Sequence, residues 1–218
     1  LLLPLFSKMI SIRESVEKMV KLSFSIIISG SLIIAITLQF FATDLMQLMY
    51  DINPGESEQH FISRINQSAT ILKLLMVSFI AISTNYIFGT LLTANHNLKQ
   101  LNLIALGGLV INITLNLILI PYLYSIGSAY ASLATQSITA ILQFLLVFKI
   151  FKFKINYKIF VNLVFLILAL ITIGYLLTQV INLRWELSFI LMLISGLCVS
   201  IVLKLLNVKE FISIIKEK

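Results

Sequence analysis

The chain has 218 residues, of which 59% are hydrophobic and 11% are charged, and its formal net charge is +7. With a mean hydropathy of +1.04, it is too apolar to be a water-soluble domain with a polar exterior. The basic residues lie at the ends of hydrophobic runs and not in a soluble patch, so nucleic acid is not an expected partner. The sequence predicts an all-α integral membrane protein whose partner is the lipid bilayer.

The first stretch predicts an amphipathic helix over residues 5 to 21. Its apolar residues are spaced four and three apart and are Leu5, Met9, Ile12, Val16 and Met19. Charged residues such as Arg13 and Lys18 fill the other face, which is typical of a helix along the cytoplasmic interface, with its apolar face on lipid or on the bundle. Because Leu1 is not an initiator methionine, we expect residues 1 to 19 to combine this helix with the end of a preceding span.

Six hydrophobic runs are long enough to cross a bilayer core of about 30 Å, which takes roughly 20 helical residues. They cover residues 20 to 42, 68 to 92, 101 to 120, 126 to 148, 159 to 181 and 187 to 206. We expect the first four runs to form one bundle over residues 20 to 148, with a corner at Ile120-Pro121. The last two occupy residues 159 to 206 and precede a cytoplasmic tail over residues 207 to 218.

The distribution of charge predicts the orientation. If both ends of the chain are cytoplasmic, only three of the 16 Lys and Arg residues lie outside. These three are Arg64, Lys73 and Arg184. This asymmetry follows the positive-inside rule. The basic loop over residues 149 to 158 then anchors the chain to anionic headgroups of the inner leaflet, or it holds a dedicated lipid-headgroup site. The acidic connection over residues 43 to 67 is external, with a turn at Asn53-Pro54-Gly55.

The sequence shows no constellation typical of an enzyme. It has no Gly-rich phosphate loop, and His60 and His96 fall on opposite sides of the expected membrane, so they cannot share a metal ion. The single cysteine, Cys198, excludes an internal disulfide and is interpreted as a packing residue. None of the six runs contains Asp or Glu. We therefore expect no catalytic residue, no metal and no cofactor.

Lys73 lies about five residues into the second predicted span. An ionisable group inside a membrane segment is a functional-site hypothesis by default. Its ammonium group either snorkels to the outer interface, pairs with an external carboxylate such as Glu58, or contacts an anionic substrate.

Uncharged polar residues form stripes on three of the runs. Asn85 lies in the second run, Asn112 and Asn116 are four residues apart in the third, and Gln136 begins a stripe in the fourth. Because amides are costly against lipid, we expect these stripes to face the interior of the bundle. There they either form hydrogen bonds between helices or line a hydrophilic cavity. Together with the lysine of the second run, they are the candidate residues for substrate contact.

Several short segments occur in an order found in a known family. They are Leu3-Pro4-Leu5-Phe6-Ser7, Gly89-Thr90-Leu91-Leu92-Thr93-Ala94-Asn95, Asn112-Ile113-Thr114-Leu115-Asn116 followed by Ile120-Pro121, and Gly127-Ser128-Ala129. In this order the chain resembles the C-terminal half of polysaccharide-biosynthesis membrane proteins. These are the flippases for O-antigen, a part of lipopolysaccharide, and for lipid-linked oligosaccharides within the multidrug/oligosaccharidyl-lipid/polysaccharide superfamily. Where the family usually has Gly-Ala-Ala, this chain has Gly127-Ser128-Ala129.

The resemblance implies a partial MATE-like helical bundle, with four helices of a second bundle plus two C-terminal helices beside a missing N-terminal bundle. It implies a transporter of the bacterial inner membrane that flips a polyprenyl-diphosphate-linked oligosaccharide by alternating access. Our candidates for the cavity lining are Lys73, Asn85, Asn112, Asn116 and Gln136. The alternatives are a drug/cation antiporter, a peptidoglycan-precursor flippase, a membrane-embedded transferase acting on lipid-linked sugars, and a scaffold without transport activity.

Overall fold

The computed structural model describes residues 2–154, 156–181 and 183–207. These residues form helices and turns, and none of them forms a strand. The helices are α1 (Leu2–Ser11), α2 (Glu17–Met49), α3 (Glu58–Ala94), α4 (Leu98–Phe151), α5 (Tyr157–Gln179) and α6 (Trp185–Val202). The expected cytoplasmic tail lies outside the described residues from position 208 onward.

Five of these helices, α2 to α6, are long and apolar enough to cross a membrane. Helices satisfy every backbone hydrogen bond internally, which is the condition that lipid imposes on a spanning segment. The architecture is that of a helical, multi-pass membrane protein, as the composition predicts.

The longest helix, α4, consists of two arms that fold back on each other. Its 54 residues would extend about 80 Å if straight, yet the amide nitrogen of Asn112 lies 3.3 Å from the hydroxyl of Thr135. The reversal occurs at Tyr124, whose backbone is non-helical with φ 50° and ψ −131°. This is three residues after the predicted corner, because Pro121 remains within the last turns of the first arm.

Helix α2 occupies the centre of the described structure. It packs against α3 on one side and against α5 and α6 on the other, while α4 contacts α3. Helices α2 and α3 are antiparallel. The rings of Phe24 and Phe88 are in contact at one end, and Gln39 donates to the carbonyl of Lys73 near the other. Only 6% of the most hydrophobic stretch of α4 is buried, which is the lowest share among helices α2 to α6.

The predicted single amphipathic helix over residues 5 to 21 is wrong. The chain breaks between α1 and α2, where Arg13 adopts a left-handed conformation with φ 57°. The amide of Glu14 donates to the carbonyl of Met9 at 2.9 Å, a bond that closes the end of α1. Phe6 and Met9 are buried in one apolar cluster with residues of α3 and of the second arm of α4.

Four helices end in a left-handed residue at the same end of the bundle. These residues are Arg13, His96, Lys152 and Lys204. All are basic in type, and a positive side chain beside a helix C-terminus interacts favourably with the helix dipole. At the other end, the predicted turn is confirmed, because Glu56 donates its amide to the carbonyl of Asn53 and Gly55 has a φ of 82°.

Candidate functional site

A line of polar side chains runs between α3 and the two arms of α4, and we call it the amide seam. Its members are Asn85, Asn112, Asn116, Thr135, Gln136, Thr139 and Gln143. In each arm of α4 the contributing residues lie three or four positions apart, so that they share one face, and α3 contributes Asn85. Four of the five candidate residues from the sequence therefore belong to the amide seam, and Lys73 does not.

Asn85 joins α3 to the second arm of α4. Its amide nitrogen lies 3.0 Å from the side-chain oxygen of Gln136, 3.0 Å from the hydroxyl of Thr139 and 3.3 Å from the Gln136 carbonyl. Thr139 in turn donates to the carbonyl of Thr135 at 2.9 Å. This side chain of α3 thus binds two successive turns of the facing helix.

One bond joins the two arms of α4, and two more lie within the first arm. Asn112 donates to the hydroxyl of Thr135 at 3.3 Å. Asn116 donates to both the carbonyl and the side-chain oxygen of Asn112, at 2.9 and 3.0 Å. Through Thr135 this set connects to Thr139 and Asn85, so the seam links three helical segments.

Two glycines allow the helices of the seam to approach closely. A Cβ atom at Gly108 would lie 2.7 Å from the methyl group of Thr139, and one at Gly89 would lie 3.2 Å from the side-chain oxygen of Gln143. Small residues at helix contacts bring polar side chains within hydrogen-bonding reach in membranes. The chain also approaches closely at Gly127, where an added Cβ would lie 2.6 Å from the carbonyl oxygen of Leu119.

The seam has unused hydrogen-bonding capacity. The side-chain oxygens of Asn85, Asn116 and Gln143 are buried and have no hydrogen-bond partner. The candidate amides at 85, 112, 116 and 136 are only half-buried as whole residues. Because polar surface avoids hydrocarbon, this side of the seam requires water or further protein as its neighbour.

Lys73 occupies a different level of the structure. It precedes Ala94, the last residue of α3, by 21 positions, or about 32 Å of helix, whereas Asn85 precedes it by about 14 Å. If Ala94 marks one boundary of a core of about 30 Å, Lys73 lies at the opposite boundary and Asn85 near the middle. Lys73 is half-buried, and its carbonyl accepts a bond of 3.1 Å from Gln39.

The structure contradicts the suggested pairing of Lys73 with Glu58. Both residues belong to the continuous helix α3, and 15 positions separate them by about 22 Å. None of the described ion pairs contains Lys73. Its position at the end of the apolar segment fits a lysine that extends to the outer interface.

The outer connection has its own ion pair between Arg64 and Glu56. The Nε and Nη2 atoms of Arg64 donate to the two carboxylate oxygens at 3.0 and 2.8 Å. The amide of Asn53 adds a third bond at 3.0 Å. The Arg64 bonds, with the Asn53 amide, lower the pKa of Glu56 to about 2. This arrangement holds the loop before α3 closed and lies apart from the seam.

Some members of this site were not predicted from the sequence. Thr135 lies four residues before Thr139, so the polar stripe of the second arm could have been extended by one turn. Gly108 and Gln39 carried no pattern that distinguishes them from packing residues, and only the contacts show what they do. In the described part of the chain, no group of three His, Cys, Asp or Glu residues could hold a metal ion.

Comparison with known proteins gives no relative: no family model, no curated protein and no solved structure matches this chain.

Proposed function

We propose that the protein is a flippase that carries a polyprenyl-diphosphate-linked oligosaccharide across the bacterial inner membrane by alternating access. In this proposal α2, α3, the two arms of α4, α5 and α6 form six spans, and both ends of the chain are cytoplasmic. They form part of a MATE-like assembly that a preceding bundle of the same protein completes. The proposal rests on the sequence resemblance and on the amide seam.

The observation that carries the proposal is a neutral polar surface near the middle of an apolar structure. Sugar hydroxyl groups exchange hydrogen bonds with amides and hydroxyls, and such a path needs no fixed charge. The half-buried amides of the seam supply these groups. Lys73, near the outer boundary, would meet the diphosphate late in the passage.

A drug/cation antiporter of the same superfamily is the second candidate. It would favour a carboxylate within the membrane to exchange protons or sodium ions for its cargo. Asp44 lies inside α2, but it follows Lys21, near the start of that helix, by 23 residues or about 35 Å, which places it at the outer boundary. The described seam contains no carboxylate, and this favours a neutral cargo surface over an ion-exchange site.

The test uses the full-length protein in liposomes that hold a fluorescent polyprenyl-diphosphate oligosaccharide, with a lectin that cannot cross the membrane. We expect protein-dependent transfer of the sugar to the lectin side. The paired variant Asn112→Leu with Asn116→Leu should slow transfer at least tenfold, while Asn66→Leu, an exposed asparagine of α3, should leave it unchanged. Equal transfer with and without protein would contradict the proposal.

A further inference from the structure

The end of the bundle opposite the acidic loop carries a pocket lined by four lysines, which we call the lysine pocket. Its volume is about 270 Å³, and it lies between the start of α2, the start of α5 and the segment that follows α6. The four lysines are Lys18, Lys21, Lys158 and Lys204. The remaining lining residues are Leu22, Ser25, Asn156, Ile159, Asn162, Leu205 and Asn207, so none of the described residues that line it is a carboxylate.

The pocket has a fixed wall formed by the segment after α6. Ser25 of α2 donates to the carbonyl of Leu205 at 2.9 Å, and Asn162 of α5 donates to the carbonyl of Leu203 at 2.8 Å. Between these two anchored carbonyls, Lys204 adopts a left-handed conformation with φ 56°. Leu205 itself is 1% exposed. Two neighbouring helices therefore hold the backbone of Lys204 in place at the rim.

Part of the positive charge of the pocket has no described carboxylate partner. Glu17 accepts a bond from Lys21 at 2.5 Å and another from the amide of Lys154, so it offsets one lysine from outside the lining. Lys158 and Lys204 are exposed, and neither belongs to a described ion pair. Lysines that line one concave site attract an anion such as a phosphate.

We propose that the lysine pocket binds the phosphate group of an anionic membrane lipid. The volume falls just below the roughly 300–1,000 Å³ of pockets for drug-sized ligands, which suits a headgroup. Asn156 and Asn162 add amide groups, and Leu22 and Ile159 give the site an apolar edge toward the bilayer. The proposal stands whether or not the protein is a flippase, because it rests on the lysines alone and not on the amide seam.

The ligand could be a phosphatidylglycerol headgroup, a polyprenyl diphosphate or free pyrophosphate, since all three present anionic phosphate oxygens. Native mass spectrometry of the full chain, released from micelles with each probe in turn, distinguishes these sources. Phosphatidylcholine, with no net charge, is the reference. Preferential retention of phosphatidylglycerol or polyprenyl diphosphate supports the site and identifies the lipid. Retention of pyrophosphate alone, or retention equal to that of phosphatidylcholine in all three arms, overturns it.

A matched pair of variants locates the binding. Lys158→Gln with Lys204→Gln should weaken retention of the anionic probe at least tenfold, since each basic residue near an anionic surface contributes about fivefold. The control, Lys149→Gln with Lys152→Gln, removes the same charge from the same end of the bundle. It also alters one left-handed lysine, but both residues lie outside the lining.

We expect the control pair to change retention less than threefold. Equal losses in both pairs would show a general charge effect and would overturn the pocket as a site. Lys158→Arg with Lys204→Arg should retain binding, which separates lost charge from a folding defect. If the arginine pair loses binding as fully as the glutamine pair while thermal unfolding is unchanged, an ammonium-phosphate contact is not what the probe reports.

Discussion

The amide seam and the lysine pocket are both polar, yet they differ in every property that decides what a polar site can do. The seam lies between helices, is neutral, and directs most of its donors to protein acceptors. The pocket lies at one end of the bundle and carries four lysines, and no carboxylate is among the described residues of its lining. A polar group deep in a membrane must form its hydrogen bonds with protein, whereas one at the interface can remain available for a ligand.

The same comparison explains why the two regions suit different parts of a ligand. Neutral amides near the middle of an apolar bundle can exchange hydrogen bonds with hydroxyl groups at small cost. Lysines at the boundary keep contact with water and attract phosphate without the expense of burying a charge.

The close approach of the two arms of α4 should give the largest effect. In Gly127→Ala the new methyl group would meet the carbonyl oxygen of Leu119 at 2.6 Å, and backbone cannot move aside as a flexible side chain does. We expect a loss of about 1–3 kcal/mol in the free energy of unfolding, as for other overpacked sites. Unfolding in mixed detergent micelles measures it.

Gly107→Ala is the matched control for that change. It lies in the same helix, and a Cβ there would meet nothing within 4 Å. It should therefore leave stability unchanged or raise it slightly, because alanine favours helix over glycine. Equal destabilisation by both variants would show that the arms are not in contact as described.

The bond between Asn85 and Gln136 should give the next largest effect. A double-mutant cycle with Asn85→Leu and Gln136→Leu isolates their interaction. We expect a coupling energy of about 0.6–1.7 kcal/mol, the range found for hydrogen bonds between membrane helices. A coupling of zero, measured by unfolding in micelles, would mean that the 3.0 Å contact contributes nothing to the seam.

Salt should separate the two regions. Raising the ionic strength shortens the screening length from about 10 Å at 0.1 M to about 3 Å at 1 M. Retention of the anionic probe in the lysine pocket should fall severalfold across this range, whereas the coupling energy of the seam should not change, because amides carry no charge. A seam coupling that weakened in parallel with the pocket would contradict the contrast.

Acid pH should leave the amides of the seam unchanged, and it gives the smallest effect, in the outer connection. Glu56, in the outer connection, has a folded pKa of about 2 against an ordinary value of 4.5. Its lowered pKa stabilises the loop fully above about pH 4.5, and this contribution disappears as pH falls toward 2. The protection factors of residues 51 to 57 against hydrogen exchange, corrected for the intrinsic rate at each pH, should fall over that window, and Glu56→Gln should abolish the dependence.

Much of the fold could be predicted because lipid leaves a chain few choices. The length and hydropathy of the runs were enough to predict helices, and the stripes with Asn85, Asn112 and Gln136 predicted which faces meet. The break at Arg13 was not predictable from periodicity, since Met9, Ile12 and Val16 continue the apolar spacing across it. The left-handed residue that ends α1 is set by tertiary packing of Phe6 against α3.

The lysine pocket shows the other limit of the sequence. The basic loop over residues 149 to 158 suggested a headgroup site, but the pocket combines only Lys158 of that loop with lysines from two other parts of the chain. Residues 18 and 204 are far apart in sequence, and the bond from Ser25 to Leu205 brings their segments together. No local sequence pattern predicts such a contact.

The proposed function requires that the amide seam faces a path that substrate can enter. Single cysteines at Asn85, Asn112 and Asn116 in a Cys198→Ala background, with Leu170→Cys as the buried reference, test it most directly. Thiol reagents that cannot cross the membrane are applied to the full-length protein from each side. We expect labelling at the three seam positions and protection from labelling by polyprenyl-diphosphate oligosaccharide. If all three resist labelling from both sides, as Leu170→Cys should, the seam only joins helices and the claim is contradicted.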